Sequence, residues 1–468
     1  MKRIIYNDLL KWKNSVQRKP LILKGARQVG KSYILKEFGK KNFKKVHVID
    51  FEKDNDKFSP IFDGDLDYKR LLLQLSLTLK SDIDKKNDLI IFDEIQNCPR
   101  AITSLKYFCE DLPELAICCA GSLLGIKLSK ESFPVGKVNF LEMFPLSFEE
   151  YIQAVDHPKL FESYQEVINK YDNSNVIQNV LWEYLLDYYI VGGMPEIVYH
   201  FLKETIEAET ENKSKTKPNS KYQALKMARE RQLDLIISYK NDFKKHSGIE
   251  NAIHIETVFE NIPMQLSQYH NTSVKRYKFN HVIYGKKSFA DLSGPIDWLS
   301  KAGLVIKVPV ASQISHPLKS YCKDNLFKLY IFDIGILGAM LGLSPEVILK
   351  QNYGSAKGYF AENFVACLLN SSYQMHTHKN GLYSWNNKNH EIEFVIDFDG
   401  ELIPIEVKSA HASRAKSLEI IINEFSLRKA IILSKDVIKI DHQKSNSKTK
   451  FSVDHYPLYA TQAISRST

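Results

Sequence analysis

Short apolar runs alternate with amphipathic stretches along the first 150 residues. Five runs have the length and the apolar content of buried strands, and they cover 21–24, 46–51, 89–92, 115–120 and 138–141. Helical spacing of apolar residues follows in between, notably over 66–80 and 100–111. Strands that alternate with helices favour a parallel sheet covered on both faces. The pattern therefore predicts an α/β domain over residues 1–150.

The pattern changes after residue 150, and five further regions are predicted. Residues 151–203 are expected to form a helical extension. Residues 204–222 hold almost no large apolar side chain, which is typical of a polar linker or insertion. Residues 223–311 combine helical patterns with strands, which fits a winged-helix-like domain, and 312–353 are a connecting segment. A mixed α/β region covers 354–468, so we predict an α/β multidomain protein.

Composition and charge narrow the class of protein. The chain has 468 residues, 44% of them apolar, which is enough for several globular cores. The net charge of +9 comes from dispersed lysines balanced by 55 acidic residues, so a basic surface explains it better than a dedicated nucleic-acid-binding surface. The six cysteines lack metal-type spacing, and no apolar run approaches the ~18 residues of a membrane helix. We expect a cytoplasmic protein without a membrane partner.

The clearest chemical signal is GARQVGKS at 25–32, between the first strand and a helical pattern. In the pattern GxxxxGK(S/T), glycines let backbone N–H groups turn toward phosphate oxygens at a helix N-terminus. Lys31 is expected to reach the β- and γ-phosphates, and the Ser32 hydroxyl to hold Mg²⁺. The predicted nucleotide-contacting residues are Gly25, Ala26, Arg27, Gln28, Val29, Gly30, Lys31, Ser32 and Tyr33.

Two carboxylates follow the apolar run at 89–92. Asp93 ends a predicted buried strand beside the phosphate loop, where it can hold Mg²⁺ directly or through water, and Glu94 can polarise the attacking water. Ser122 follows the next strand, where it is either a sensor of the γ-phosphate or part of a glycine–serine turn. The carboxylate pair favours hydrolysis over binding alone. We predict catalytic roles for Lys31, Glu94 and Ser122.

Together with PLSFEEY at 145–151 and GGMPE at 192–196, these segments resemble a family of prokaryotic AAA+-type P-loop ATPases. That family carries a C-terminal, restriction-endonuclease-like domain of uncharacterised function. The resemblance continues through 327–341, 358–369, 390–397 and 402–410. It implies an AAA+ or STAND-like sheet, ATP and Mg²⁺ as nucleotide and metal, the sensor role of Ser122, and a winged helix with its recognition helix in 288–303. Lys137 stands where the family tends to carry arginine, so no arginine finger is assigned.

The C-terminal region has carboxylates at the spacing of PD-(D/E)xK nucleases, which it resembles. Glu406 and Lys408 share one face of the strand IPIEVK, Glu393 lies on the preceding strand, and Glu362 lies on a helix before it. Such carboxylates can hold Mg²⁺ while a lysine helps to activate water. The family usually has Asp where Glu393 stands, and an acidic–basic strand face is also typical of a solvated surface. The predicted nuclease-like site is Glu362, Glu393, Glu406 and Lys408.

Two functions fit this order of segments. In the first, ATP binding and hydrolysis control a winged-helix and nuclease-like module that acts on nucleic acid. In the second, the ATPase is a conformational switch, and an inactive nuclease fold docks protein or DNA. A metabolic kinase also uses such a loop, but the long C-terminal extension argues against it. Candidate partners are nucleic acid, met by basic residues at 275–287, and further copies of the chain in a homo-oligomer.

Overall fold

The computed structural model describes residues 1–121, 133–155, 157–170, 174–211, 219–268, 276–354, 356–375, 381–387, 390–411, 416–444 and 450–465. Contacts divide this chain into two compact units. The N-terminal unit comprises residues 2–144 and 301–303, and the C-terminal unit comprises residue 1, 145–300 and 304–468.

The N-terminal unit is built on a parallel sheet of five strands. These are β1 (Leu21–Lys24), β2 (Val46–Asp50), β3 (Leu89–Asp93), β4 (Ala116–Ala120) and β5 (Asn139–Glu142), in the order β2-β3-β4-β1-β5. The helices are α1 (Ile5–Asn14), α2 (Lys31–Asn42), α3 (Asn55–Phe58), α4 (Tyr68–Leu79) and α5 (Pro99–Asp111). Every strand pair is parallel, so the predicted α/β sheet is confirmed.

The core of this unit explains why the strands are so apolar. Every residue of β3 and of β4 is buried, because layers of helices cover both faces of a parallel sheet. Cys118 and Cys119 are fully buried on β4, as small core residues. Since all strands run in one direction, their carboxyl ends share one edge of the sheet. This edge brings the loop after β1 and the end of β3 together.

The C-terminal unit begins with a helical region and ends in a mixed sheet. Its helices before the sheet are α6 (Phe148–Ala154), α7 (Pro158–Lys170), α8 (Asn175–Val191), α9 (Pro195–Glu211), α10 (Asn219–Ser247), α11 (Ile249–Gln268) and α12 (Phe289–Lys301), the last of which ends at the unit boundary. Later helices are α13 (Ile334–Met340), α14 (Pro345–Leu349), α15 (Ala356–Met375) and α16 (Lys416–Phe425).

In the described part of the chain, the mixed sheet has eight strands. They are β6 (Val305–Ala311), β7 (Cys322–Ile331), β8 (Tyr383–Asn386), β9 (Glu391–Phe398), β10 (Glu401–Val407), β11 (Lys429–Ser434), β12 (Lys439–Lys444) and β13 (Lys450–Pro457). Their order is β12-β13-β11-β10-β9-β8-β6-β7. The β6–β7 hairpin is antiparallel, and β6 pairs with β8 through Val310 and Ala311. One sheet therefore joins the predicted middle and C-terminal regions.

The segment 204–222, expected to be a linker or insertion, is helical at both of its ends. Helix α9 continues to Glu211 and α10 begins at Asn219, while 212–218 lie outside the described residues. Ion pairs hold the polar turns: Lys203 Nζ lies 3.7 Å from Glu207 Oε1, and Arg231 Nη2 lies 2.6 Å from Glu204 Oε1. The Lys203–Glu207 pair lies one turn apart along α9, whereas the Arg231–Glu204 pair joins α10 to α9. The composition of the segment did not reveal either pair.

Within the described ranges, no helix combines the length and the apolar character that crossing a membrane requires.

Candidate functional site

The loop between β1 and α2 has the backbone geometry of a phosphate cradle. Gly25 has φ 142° and Gly30 has φ 95°, both in the region that favours glycine. A Cβ on Gly25 would lie 2.1 Å from the Met143 carbonyl oxygen, so no other residue fits there. Helix α2 begins at Lys31, directly after Gly30. The first amides of α2 therefore face the loop, as anion binding at a helix N-terminus requires.

Lys31 is buried inside this loop. Its Nζ donates to the carbonyl oxygens of Gly25, at 3.0 Å, and Ala26, at 2.7 Å. Burial lowers the pKa of Lys31 to about 8, although the nearby carboxylates of Glu94 and Asp93 oppose that shift. Among the described residues, the hydrogen-bond acceptors of this ammonium are thus two neutral carbonyl oxygens.

Ser32 and Asp93 meet at the edge of the sheet. The Ser32 hydroxyl donates to Asp93 Oδ1 at 2.6 Å, and Lys36 Nζ lies 3.5 Å from Asp93 Oδ2. A hydroxyl and a carboxylate are oxygen ligands that Mg²⁺ accepts, and the two that the sequence singled out are adjacent. The donor set therefore fits Mg²⁺. Lys36, one turn into α2, is a neighbour that the sequence did not point to.

Glu94 occupies an unusual backbone position beside the loop. Its φ of 48° and ψ of 43° lie in the left-handed region, which is strained for a residue other than glycine and is found at functional sites. Gln96 Nε2 donates to Glu94 Oε2. Burial raises the pKa of Glu94, partly offset by Gln96, Lys31 and Arg27. Arg27 Nη2 lies 3.9 Å from Glu52 Oε1, so the loop arginine has an acidic neighbour.

The other predicted loop residues differ in exposure. Ala26 and Val29 are buried, Gln28 has a left-handed φ of 63°, and Tyr33 points to solvent with 62% exposure. Tyr33 lies in the first turn of α2, and its predicted nucleotide contact stays a prediction. Ser122, predicted as a sensor, lies outside the described residues.

A second group of carboxylates surrounds a cavity of about 180 Å³ in the C-terminal unit. Glu362, Glu393 and Lys408 line this cavity, whereas Glu406 lies beside it and Lys408 Nζ is 2.5 Å from Glu406 Oε1. Phe394 on β9 pairs with Ile405 on β10, so Glu393 and Glu406 lie next to each other on neighbouring strands. The predicted residues therefore converge.

Lys328 on β7 joins this cluster, and sequence reasoning missed it. Lys328 is 3% exposed; its Nζ lies 2.5 Å from Glu391 Oε1 and 4.0 Å from Glu362 Oε2. The signal was available, because a lysine inside the apolar run FKLYIF is unusual on a buried strand. Among the described residues, no group of three His, Cys, Asp or Glu side chains is arranged to hold a metal ion.

The motifs PLSFEEY and GGMPE meet a third motif, FDIG, at a buried junction. Asp333 Oδ2 accepts from the Gly193 amide at 2.7 Å, and its Oδ1 accepts from the Ile336 amide at 2.9 Å, which caps α13. The Leu146 amide donates to the Gly193 carbonyl at 2.6 Å. Burial raises the pKa of Asp333 and lowers that of the neighbouring Arg229 to about 10. These segments, which the sequence associated with the ATPase family, hold the C-terminal unit together.

Three family models match parts of the chain. A model described as an AAA domain matches residues 17–152. Models described as domain of unknown function DUF8612 and domain of unknown function DUF4143 match 218–347 and 357–449. The N-terminal region is thus an AAA-type P-loop ATPase domain. The winged-helix and nuclease-like folds have no counterpart in these descriptions and stay predictions. The comparison with curated proteins finds no match.

Solved structures with similar features are distant. The Aeropyrum pernix ORC1 protein in complex with DNA is 12% identical with a TM-score of 0.31, and the match covers 74% of this chain and 90% of that one. The Thermotoga maritima RuvB Holliday junction branch migration motor is 13% identical with a TM-score of 0.29, and coverage is 65% and 89%. Drosophila ORC bound to DNA is 14% identical with a TM-score of 0.28, and coverage is 72% and 94%. These scores are too low to support a shared overall fold.

Proposed function

We propose that the N-terminal unit binds and hydrolyses ATP with Mg²⁺. The proposal rests on four side chains that meet at one edge of the sheet. The Lys31 ammonium lies inside the loop, Ser32 Oγ lies 2.6 Å from Asp93 Oδ1, and Glu94 directly follows Asp93. The preference for ATP over other nucleotides rests on the family resemblance and on the AAA domain match.

Each residue has a distinct task in this proposal. Lys31 exchanges its carbonyl acceptors for the β- and γ-phosphate oxygens and neutralises their charge. Ser32 and Asp93 would hold Mg²⁺, which supplies further charge neutralisation when bound. Glu94 accepts a proton from the attacking water. Its raised pKa makes this carboxylate a stronger base than an exposed glutamate, and strong bases with a pKa near the working pH are efficient.

The decisive test is ATP hydrolysis by the wild type and by Lys31→Ala, in Mg²⁺, with and without mixed DNA and RNA. We expect the rate of ATP hydrolysis to fall by about 10²-fold or more in the variant, because no ammonium then neutralises the charge of the phosphates. Lys41→Ala, on the exposed end of α2, is the matched control and should keep full turnover. Equal turnover in Lys31→Ala and wild type would refute the proposed site.

Nucleic acid is the partner we propose for the C-terminal unit. A groove of about 460 Å³ is lined by Arg276, Lys278, His281 and Lys287, and all four are exposed. Helix α12, the predicted recognition helix, buries Leu292, Ile296, Trp298 and Leu299 and exposes Asp291 and Asp297. Acidic side chains repel phosphates, so the basic groove ahead of α12 supports nucleic-acid contact better than α12 does. Lys275, part of the same basic run, lies outside the described residues.

The test of the groove is the salt dependence of binding to a fluorescent duplex and to a single strand. Each lysine that meets a phosphate should reduce the salt slope by about 1 when it is replaced, so Lys278→Ala and Lys287→Ala are compared with wild type. Lys350→Ala, whose lysine pairs with Glu346 on the surface, is the control. Lys31-dependent hydrolysis without any nucleic-acid binding would favour the second function, a switch that docks a protein.

A further inference from the structure

We propose that the Lys328 ammonium neutralises the C-terminal carboxylate cluster. It takes the place of the divalent metal that carboxylates of this kind hold in the nucleases that the C-terminal region resembles. The cluster consists of Glu362 on α15 and of Glu391 and Glu393 on β9. The inference concerns the C-terminal unit alone and does not depend on ATP hydrolysis.

The buried carboxylates require a cation, and Lys328 supplies one. Glu362 and Glu393 are almost fully buried, and an ionised carboxylate is costly in such surroundings unless it is paired. Lys328 Nζ makes a contact of 2.5 Å with Glu391 and lies 4.0 Å from Glu362. Within the described part of the chain, Lys328 Nζ makes no hydrogen bond of good geometry, so the ammonium acts on the surrounding carboxylates through its charge. The combined attraction of the three glutamates outweighs burial and raises the pKa of Lys328, which therefore stays charged.

The carboxylates also have other protein donors. The Tyr330 hydroxyl donates to Glu362 Oε2 at 3.3 Å, and the Val407 amide donates to Glu393 Oε2 at 3.1 Å. Glu406 is paired with Lys408. All three carboxylates that the sequence suggested as metal ligands are thus engaged by groups of the chain itself.

A divalent cation would have to compete with Lys328 for the same oxygens. Mg²⁺ needs carboxylate oxygens at about 2.1 Å, and the ammonium strongly repels a second cation within about 4 Å, even at an effective dielectric constant near 20. Displacement of Lys328 would move a buried charge away from its carboxylate partners, which adds a further cost. The donor set therefore does not fit the metal that the nuclease resemblance implies.

Among the described residues, the three glutamates are not arranged around a metal ion while Lys328 lies among them. Once Lys328 is replaced, the cluster loses its cation, and we expect its carboxylates to rearrange around a divalent metal. The test is a Mn²⁺ titration of the full nucleotide-free chain, with free Mn²⁺ followed by electron paramagnetic resonance. We expect wild type and Glu362→Gln to bind Mn²⁺ identically. Lys328→Met should bind one additional Mn²⁺ per chain, and the additional site should disappear in the double variant Lys328→Met with Glu362→Gln. Lys307→Met is the matched control, because Lys307 lies on β6 over the rings of Phe289 and Phe327.

Two results would overturn the inference. One is a wild-type Mn²⁺ site that Glu362→Gln removes, because a metal would then bind despite Lys328. The other is a folded Lys328→Met chain, as judged by circular dichroism, that takes up no additional Mn²⁺. If Lys328→Met does not fold, the comparison of wild type with Glu362→Gln decides alone.

Discussion

Each unit of this protein buries a lysine near carboxylates, and the two lysines have opposite pKa shifts. Lys31 is 6% exposed and Lys328 is 3% exposed, so burial penalises both charges similarly. The pKa of Lys31 is lowered to about 8, whereas that of Lys328 is raised. The difference lies in the atoms that each ammonium touches. Lys31 donates to two neutral carbonyls, while Lys328 contacts a carboxylate directly and has two more nearby.

The two lysines therefore differ in whether their ammonium groups can accept a new anionic ligand. The Lys31 ammonium has weak acceptors that an incoming phosphate can replace, and phosphate contact restores its full charge. The Lys328 ammonium already has anionic partners and would lose them to any new ligand. Burial alone therefore does not identify a functional lysine; the charge of its contacts does.

The largest expected effect is the loss of ATP turnover when a carboxylate of the N-terminal site is replaced. Glu94→Gln should lower ATP turnover by about 10²-fold or more while ATP binding persists, because the amide cannot accept the proton of water. The matched variant is Glu391→Gln, which changes a carboxylate of the Lys328 cluster and should leave turnover unchanged. Turnover of Glu94→Gln close to that of wild type would assign water activation to another group.

The next effect concerns the stability of the C-terminal unit. Lys328→Met should lower its free energy of unfolding by about 3–5 kcal/mol, because buried carboxylates lose their cation. A raised lysine pKa gives stabilisation that is complete below the ordinary value of about 10.4 and is lost as the pH rises through the raised value, so measurements at pH 7 report all of it. Urea unfolding can be followed by tryptophan fluorescence, since Trp182, Trp298 and Trp385 lie in this unit.

Lys307→Met is again the control for that measurement. Lys307 is only partly buried and lies over aromatic rings, so its loss should cost far less than the loss of Lys328. Equal destabilisation by the two variants would mean that the carboxylate cluster has other sufficient cations.

The third prediction concerns the pH dependence of ATP affinity, which should reflect the lowered pKa of Lys31. In the protein without nucleotide, Lys31 loses its proton as the pH rises through about 8, and phosphate binding favours the protonated form. ATP affinity should therefore fall above pH 8, by up to about tenfold per pH unit. Titrations with a fluorescent ATP analogue at pH 7, 8 and 9 test this. Lys31→Arg should show a flatter profile because a guanidinium stays protonated; parallel profiles in both proteins would argue against titration of Lys31.

The smallest effect concerns the neighbour of the proposed magnesium ligand. Lys36 is 41% exposed and lies 3.5 Å from Asp93 Oδ2, so its removal leaves Asp93 more attractive to a cation. Lys36→Met should lower the Mg²⁺ concentration for half-maximal turnover by roughly 2–5-fold, as expected for a partly exposed pair. Lys41→Met, on the same helix, should leave it unchanged. A higher Mg²⁺ requirement in Lys36→Met would show that Lys36 orients Asp93 instead.

The meeting of the glycine loop with Asp93 was predictable because its signals are local. The loop motif lies within eight residues, the carboxylates follow an apolar run, and parallel strands bring both to one edge of the sheet. Lys36 escaped notice because a lysine on a helix surface has no distinguishing pattern. The helical ends of 204–222 escaped notice because polar composition does not reveal which charges pair along a helix.

In the C-terminal unit, only the convergence of the carboxylates was predictable. Glu362, Glu393 and Glu406 were recognised from their places on a helix and two strands, and they do converge. Their cation was not recognised, because Lys328 comes from the hairpin β6–β7, which the sequence assigned to other regions. The pairing register of strands that are distant along the chain depends on which of their faces are buried. A local sequence motif does not reveal that register, so it did not indicate that Lys328 lies beside these carboxylates.

By itself, the sequence determined the order of strands and helices along the N-terminal unit and the glycine loop between β1 and α2. Apolar periodicity and the positive φ angles that favour glycine are local properties of the chain, so a short stretch of sequence reveals them. The tertiary structure decided which charge each carboxylate meets. It brought Ser32 to Asp93 and Lys328 to Glu391, and it placed one buried ammonium against neutral carbonyls and the other among carboxylates. Electrostatic energy depends on distance and on burial, and both are set only when separate segments pack.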